Sequence, residues 1–557
     1  MRKAAVLIFM CAAAVAQQPV SIQVDTAKTQ GAYKPIYAYF GYDEPNYTYT
    51  PNGKKLIAEL SALSKSPVYV RTHFMLATGD GTPGLKWGST NAYTEDASGK
   101  AVYDWTIADR ILTTYLEAGA KPFVEIGFMP KALSSKPDPY QPTWIPGAKN
   151  EQYNIGWTYP PSDYEKWGAL VSEWVKHAVD KWGQAEVESW YWEVWNEPDI
   201  GYWHGTPEEY DKLYDYAAAG VKRALPSAKI GGPATTSPSG QRAAKFLQQF
   251  LEHCASGKNY ATGATGSPLD FITFHAKGRP ENAGDHIRMG IAKETADVRA
   301  GFQIVHSFPS LKTLPIVLSE ADPEGCAACS SRVYPQNAYR NGTLYPTYTA
   351  LMMKNIFDLA DREQTNIAGM LTWAFEFENQ PFFDGFRTLA TNGVDKPVLN
   401  VFRMAGLMEG QRVNVESSGR VPLDAIASQG VRGVTDVDAL ATRSDRKISV
   451  MVWNYQDEDV PGNPADIKLA VAGIPNDAKR VLMRHYRIDE NHSNAYTTWK
   501  QQGSPQTPGS EQRQKLEAGA GLEVLESPRW INAAGGKAEI QFALPLQATS
   551  LIELSWQ

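Results

Sequence analysis

The sequence predicts an α/β protein built as a closed (β/α)8 TIM barrel that carries an accessory C-terminal antiparallel β-sandwich. Three observations predict it. Between residues 37 and 405, short β-rich segments alternate with amphipathic helical stretches. Alternation of that kind builds a parallel sheet with right-handed crossovers. Eight strand segments can be picked out, which is the number that closes into a barrel. After about residue 405, two-residue alternation broken by Gly, Pro, Asn and Asp turns takes over from the helical period, as in a sandwich.

Taken in chain order, "MRKAAVLIFMCAAAVA" (1–16) reads as a signal peptide. Arg2 and Lys3 supply the charged start, Ala4 to Ala13 the apolar stretch, and Ala14-Val15-Ala16 the small-residue cleavage site. The apolar stretch is too short to span a bilayer, so a secreted or periplasmic protein is expected. Residues 17–36 include "VSIQVDT" (20–26), a strand expected to join the sandwich. The barrel strands are expected at 36–42, 68–74, 122–128, 190–196, 229–235, 271–277, 315–321 and 368–375. Stretches such as "YEKWGALVSEWVKHAVDKWG" (164–183) and "EEYDKLYDYAAAGVKRAL" (208–225) place apolar residues at helical spacing between them. Over 406–557, "KISVMVWNY", "RVLMRHYRI", "AEIQFALPL" and "SLIELSW" are the sandwich strands. The sandwich offers a surface on which subunits could pair, although oligomeric state is not encoded in any motif.

A formal charge of -7, with no basic run, argues against nucleic acid or an anionic membrane as a partner. The 16 Trp and 27 Tyr suit both large aromatic cores and a protein that handles sugars. Beyond the leader the cysteines are Cys254, Cys326 and Cys329, and the "CAAC" at 326–329 favours a local disulfide in an exported chain. No second Cys or His pair stands at zinc spacing, and there is no GxSxG, HExxH or P-loop. Nothing in the spacing of His73, His275 and the acids is diagnostic of a metal, so no metal and no cofactor is expected.

Chemistry concentrates at the strand ends: Arg71 and His73, Asn196 and Glu197, His275, Glu320, and Trp373. A barrel keeps its active site there. In "WYWEVWNEPD" (190–199), Pro198 and the β-forming aromatics argue for a strand over a helix. Glu193 and Glu197 then point the same way at different depths, Glu193 inside as a paired structural carboxylate and Glu197 at the rim. Glu320 ends the apolar run "LPIVLSE". Two rim carboxylates on separate strands fit glycoside hydrolysis, in which one protonates the leaving oxygen and the other attacks the anomeric carbon. Asn196 could then hydrogen-bond the sugar 2-hydroxyl.

With "KPFVEIGFMPKAL" (121–133), "PPSDYEKW" (160–167), "WEVWNEPD" (192–199), "IGGPAT" (230–235) and "AYRNGTLYPTYTALMMKNI" (338–356), the chain resembles glycoside hydrolase family 39, the β-xylosidase type, among the retaining (β/α)8 hydrolases. The resemblance implies Glu197 as acid/base, Glu320 as nucleophile and an oligosaccharide substrate. Asn196 and His275 match sugar- and nucleophile-contacting positions, and Trp373 matches an aromatic platform after the eighth strand. His73, Trp157, Glu378 and Phe383 complete the candidate substrate-binding set, Glu378 by approximate correspondence. Phe382 and Phe383 suit loop packing as well as a substrate wall. The family often reads His-Ala-Tyr where this chain has His275-Ala276-Lys277, a change within the sugar subsite. The expected activity is exo-acting β-D-xylosidase. The alternatives are an arabinofuranosidase, an endo-acting hydrolase, or an inactive sugar-binding protein on the same scaffold.

Overall fold

The computed structural model describes residues 18–140 and 155–556. The leader expected over 1–16 lies outside the described residues. The chain enters through β1 (Val20–Ala32) and then builds the barrel from β2 (Tyr39–Tyr42), β3 (Tyr69–Thr72), β4 (Lys121–Ile126), β5 (Tyr191–Val194), β6 (Lys229–Thr235), β7 (Phe271–Lys277), β8 (Ile316–Asp322) and β9 (Ile367–Trp373). These strands pair in parallel in sequence order, and β9 closes on β2. A helix follows each: α1 (Pro51–Ser61), α2 (Thr106–Glu117), α3 (Tyr164–Trp182), α4 (Pro207–Ala224), α5 (Gln241–Ser256), α6 (Ile291–His306), α7 (Leu344–Glu363) and α8 (Pro397–Leu407). The (β/α)8 expectation holds.

Local chemistry sets the helix starts. The Thr206 side chain accepts from Glu209 N while Glu209 reaches back to Thr206 N, a capping box with Pro207 at the first helical position of α4. Asp163 caps α3 in the same sense, and Thr50 caps α1 ahead of Pro51.

Two-residue alternation layers the barrel interior. Tyr39, Tyr69, Phe123, Tyr191 and Phe271 fill the lower layer, with Tyr39–Tyr69 ring centroids 5.0 Å apart and Phe123–Tyr191 5.1 Å apart. Two residues further along their strands, Arg71, Glu125 and Glu193 form a fully buried charged layer. The aromatic layer closes the lower end and the charged layer supports the rim.

The C-terminal strands are β10 (Gln411–Ser417), β11 (Asp436–Arg443), β12 (Lys447–Tyr455), β13 (Ala465–Ala472), β14 (Arg480–Ile488), β15 (Lys537–Leu544) and β16 (Ala548–Ser555). They lie in one continuous hydrogen-bonded path, β14-β16-β12-β11-β10-β1-β13-β15, with the first strand of the chain in its middle. β1 runs antiparallel to β10 and parallel to β13, so that Val24 faces both Val415 and Val471. Ile22 and Val24 thereby enter a core shared with Val450, Leu469, Met483, Ile540 and Ile552. A separate seam joins sheet to barrel, with Trp453, Tyr455 and Leu551 buried in the same cluster as Tyr348 of α7 and Phe402 of α8.

Candidate active site

β5 ends at Val194, and the chain then turns sharply. Trp195 and Glu197 adopt φ of 71° and 44°, the left-handed region that disfavours side chains. Three hydrogen bonds hold the turn: Trp195 N to Ile126 O (3.2 Å), Trp195 Nε1 to Tyr202 O (3.0 Å) and Glu197 N to Ala234 O (2.9 Å). Glu197 is therefore presented by a turn past the strand end, whereas Glu193 stays in the strand and pairs with Arg71 Nε at 2.5 Å.

β8 presents its acid differently. Simple alternation would put Glu320 on the same side as Leu318. Leu318 pairs with Phe274, whose ring faces Phe302 of α6, so that side is the outside of the barrel. The register slips between Leu318 and Glu320, leaving Ser319 as the extra residue of a bulge. Glu320 now sits opposite His275, and Asp322 opposite Lys277, both facing inward.

The groups then converge. His275 Nδ1 lies 2.9 Å from Glu197 Oε1 and 3.8 Å from Glu320 Oε2. One oxygen each of Glu197 and Glu320 and one ring nitrogen of His275 all lie within 4.8 Å of one another. Lys277 Nζ is 2.7 Å from Glu320 Oε2 and 2.5 Å from Asp322 Oδ2. Arg71 reaches Glu320 (3.4 Å), Glu125 (2.9 Å) and Asn196 Oδ1 (3.1 Å), with its guanidinium 5.1 Å from the Trp373 ring centroid. His73 bonds Asp43 through Nδ1 (2.9 Å), lies 3.7 Å from Glu320, and packs 4.3 Å from Trp373 between ring centroids.

These surroundings separate two chemically identical side chains. Burial, reinforced by the charges of Glu320 and Asp199, pushes the Glu197 carboxyl up to about 8, so it carries a proton at neutral pH. Burial also opposes ionisation of Glu320, but the charges of Lys277 and Arg71, with His73 beside them, outweigh it and hold that carboxyl well below the usual range. His275, lowered by burial to about 3, stays neutral and shares a hydrogen bond between its Nδ1 and the Glu197 carboxyl. Glu197 keeps 16% of its side-chain surface exposed against 6% for Glu320, so the protonated acid is the one nearer solvent. A protonated acid beside an ionised one is the state that double displacement requires. The Glu197, His275 and Glu320 donors stand close enough to chelate a cation. Lys277 and Arg71 already face Glu320, however, and their charges would repel one.

Of the residues predicted from sequence, Glu197, Glu320, His275, His73, Asn196 and Trp373 come together. Trp157 lies in a buried rim cluster, 4.5 Å from Phe128 between centroids, and Phe128 in turn is 5.6 Å from His73. Glu378 and Phe383 are seated elsewhere. Glu378 accepts from Asn52 N at the start of α1 (3.1 Å), and Phe383 packs on Tyr496 and Trp499 of the C-terminal region at 5.3 and 5.1 Å. The loop-packing role is the one Phe383 fills. Glu125 and Asp322 were open to detection by two-residue spacing from Phe123 and Glu320. Arg387, whose Nη2 lies 3.4 Å from Asp322, comes from an irregular loop with no such signal.

A parallel barrel with a rim pair of unlike carboxyls defines a retaining O-glycosyl hydrolase. The family model for glycosyl hydrolases family 39 matches residues 68–537, and the chain belongs to that family. A β-xylosidase from Caldicellulosiruptor saccharolyticus is 29% identical over 423 residues, 73% of this chain and 74% of that one. An α-L-iduronidase from Mus musculus is 25% identical over 97% of this chain and 82% of its own. A monomeric β-xylosidase from Caulobacter crescentus superposes with a TM-score of 0.74 at 21% identity, over 96% of this chain and 99% of that one. A bacterial orthologue of human α-L-iduronidase gives 0.75 at 19%, over 97% and 84%. Among the described residues no helix is long and apolar enough to cross a membrane.

Proposed function

We propose that this glycosidase is exo-acting and releases a D-xylo-configured pyranose, in the first instance β-D-xylose, from short oligosaccharides by double displacement. The carboxyl pair carries the mechanism. Ionised Glu320 attacks the anomeric carbon while Glu197 passes its proton to the leaving oxygen. Glu197, then a carboxylate, takes a proton from the water that attacks the glycosyl ester, and Glu320 leaves unchanged. An inverting enzyme needs its carboxyls roughly 6.5–9.5 Å apart to seat that water between them and the sugar. The closest oxygens here fall within 4.8 Å. Asn196, oriented by Arg71, serves the 2-hydroxyl, and Trp373 is the platform under the ring. Export to an oxidising compartment belongs to the same proposal, supported by the Cys326–Cys329 disulfide.

A second reading has its own observation. Lys277 brings a cation with three N–H donors to the nucleophile's side of the site. Arg387, buried behind it with Nη2 3.4 Å from Asp322, adds a second positive charge on that side. An α-L-iduronide has the same C1–C4 configuration as a β-D-xyloside and adds a carboxylate at C5, which these donors suit; the iduronidase relatives agree. Aryl β-D-xyloside, aryl α-L-iduronide and aryl α-L-arabinofuranoside, assayed side by side with NMR of the first product anomer, decide between them. The expected result is xyloside cleavage with initial release of β-xylose. If iduronide is also cleaved, Lys277→Ala should reduce that activity the more. Initial release of the α-anomer would sink double displacement, and iduronide turnover without xyloside turnover would sink the xylose assignment.

A further inference from the structure

The segment between β8 and α7 carries the Cys326–Cys329 disulfide, which the reaction above does not use. Three of its four residues turn their carbonyls onto one buried guanidinium. Arg340 donates from Nη2 to Cys326 O (2.7 Å) and from Nη1 to Cys329 O (2.9 Å), Gly385 O (3.0 Å) and Ala327 O (3.4 Å). The same Nη2 pairs with Glu324 Oε1 at 2.7 Å. Glu324 Oε1 is shared with Arg387 Nη1 at 2.5 Å, and Arg387 N donates to Ala327 O at 2.9 Å. From there the contacts run to the reacting centre: Arg387 Nη2 to Asp322 at 3.4 Å, Asp322 to Lys277 at 2.5 Å, and Lys277 to Glu320 at 2.7 Å.

All of these charges are buried, so each depends on the next to offset its desolvation. The disulfide loop also packs outward. Ala328 is buried with Phe377 and Phe386 of the loop after β9, and Ala327 with Trp373. A four-residue ring closed by a covalent bond has little freedom to turn those carbonyls away. Opened, it would free Arg340 to move, and with it Glu324 and Arg387.

We infer that the Cys326–Cys329 loop, folded around Arg340, is a positioning element of the active site that acts on Glu320 through Arg387, Asp322 and Lys277. The inference rests on Glu320 being the nucleophile. Arg340 and the two cysteines touch no substrate; they set where the attacking carboxylate stands. Misplacing a reacting group by about 1 Å can cost on the order of 100-fold in rate.

The test uses full-length Cys326→Ser/Cys329→Ser, made alongside wild type. Competent sites are counted by burst titration with a 2-deoxy-2-fluoro glycoside of the sugar that wild type cleaves. Rates per titrated site are then measured on the 2,4-dinitrophenyl glycoside, whose leaving group needs no proton. The expected result is a kcat/KM per site lowered about 10- to 100-fold on activated and unactivated glycosides alike, because the nucleophile and not the acid is disturbed. Arg340→Lys should fall between the two proteins, and reducing folded wild type with dithiothreitol should reproduce the loss. Per-site rates within about twofold of wild type in both the double variant and the reduced protein would overturn the inference. If Glu320→Gly kept full activity, the nucleophile assignment would fail instead, whatever the loop variants do.

Discussion

Glu197 and Glu320 owe their different proton affinities to what faces them, and pH should act on the two unequally. Glu197 is competent as a proton donor below its raised value and loses the proton as pH passes about 8. Glu320, held well below the ordinary carboxylate range, is already ionised on the acidic side. kcat/KM on an oligosaccharide should therefore stay level through neutral pH and fall on the alkaline side. Glu197→Gln should lower it by about 10²- to 10⁴-fold on that substrate and far less on a dinitrophenyl glycoside. The alkaline limb should vanish with the carboxyl. A limb near pH 8 that survived in the variant would show that another group sets it. Holding Glu197 at a positive φ is strained, and three hydrogen bonds together with the buried Trp195 ring offset the strain.

At the scale of the element, β8 shows how one residue of irregularity decides whether a strand is reactive. With Ser319 present, the bulge turns Glu320 and Asp322 from the helix-facing side to the interior. Deleting Ser319 removes the surplus residue and leaves Glu320 directly after Leu318, so plain alternation should keep both acids facing inward, opposite His275 and Lys277. The expected outcome is a protein that still gives a burst with a 2-deoxy-2-fluoro glycoside, because the bulge only accommodates Ser319 and the acids keep their facing. A variant that kept its far-ultraviolet circular dichroism but gave no burst would sink that reading and show that the carboxylate needs the bulge itself. The turn after β5 makes the same point: its strand geometry ends at Val194, three residues short of the acid it serves.

In the whole molecule, the C-terminal region reaches back to the catalytic rim. Between β14 and β15 it inserts α9 (Ala495–Gln501) and α10 (Ser510–Ala518). Trp499 and Leu516 bury Phe382 and Phe383 of the loop after β9. Gln506 Oε1 accepts from Phe382 N at 2.8 Å, and Arg513 donates to Asn392 O at 2.9 Å. That loop also supplies Arg387. Trp499→Ala should cost about 3 kcal/mol, the lower end for a buried aromatic, and should raise KM more than it lowers kcat. Thermal melts and steady-state kinetics on the same preparation check both. An unchanged melting point together with an unchanged KM would remove the brace.

Much of the architecture is legible along the chain because its signals are local. Two-residue and helical periods are set by neighbours a turn or less away, so eight strands, their helices and the switch to a strand-rich region can be read directly. The rim acids are legible too, because Pro198 bars a helix at Glu197 and because "LPIVLSE" ends an apolar strand in a carboxylate. The sequence by itself thus determined the fold class, the two rim acids proposed to react and, through motifs, the family. Tertiary structure decided how that pair is used: the slip at Ser319, the left-handed turn at Glu197, the Arg340–Glu324–Arg387 cluster behind Lys277, and the burial of Phe383 against Trp499. Each of these depends on contacts between segments far apart in the chain, where desolvation and opposing charge set register and proton affinity and no local period carries the information.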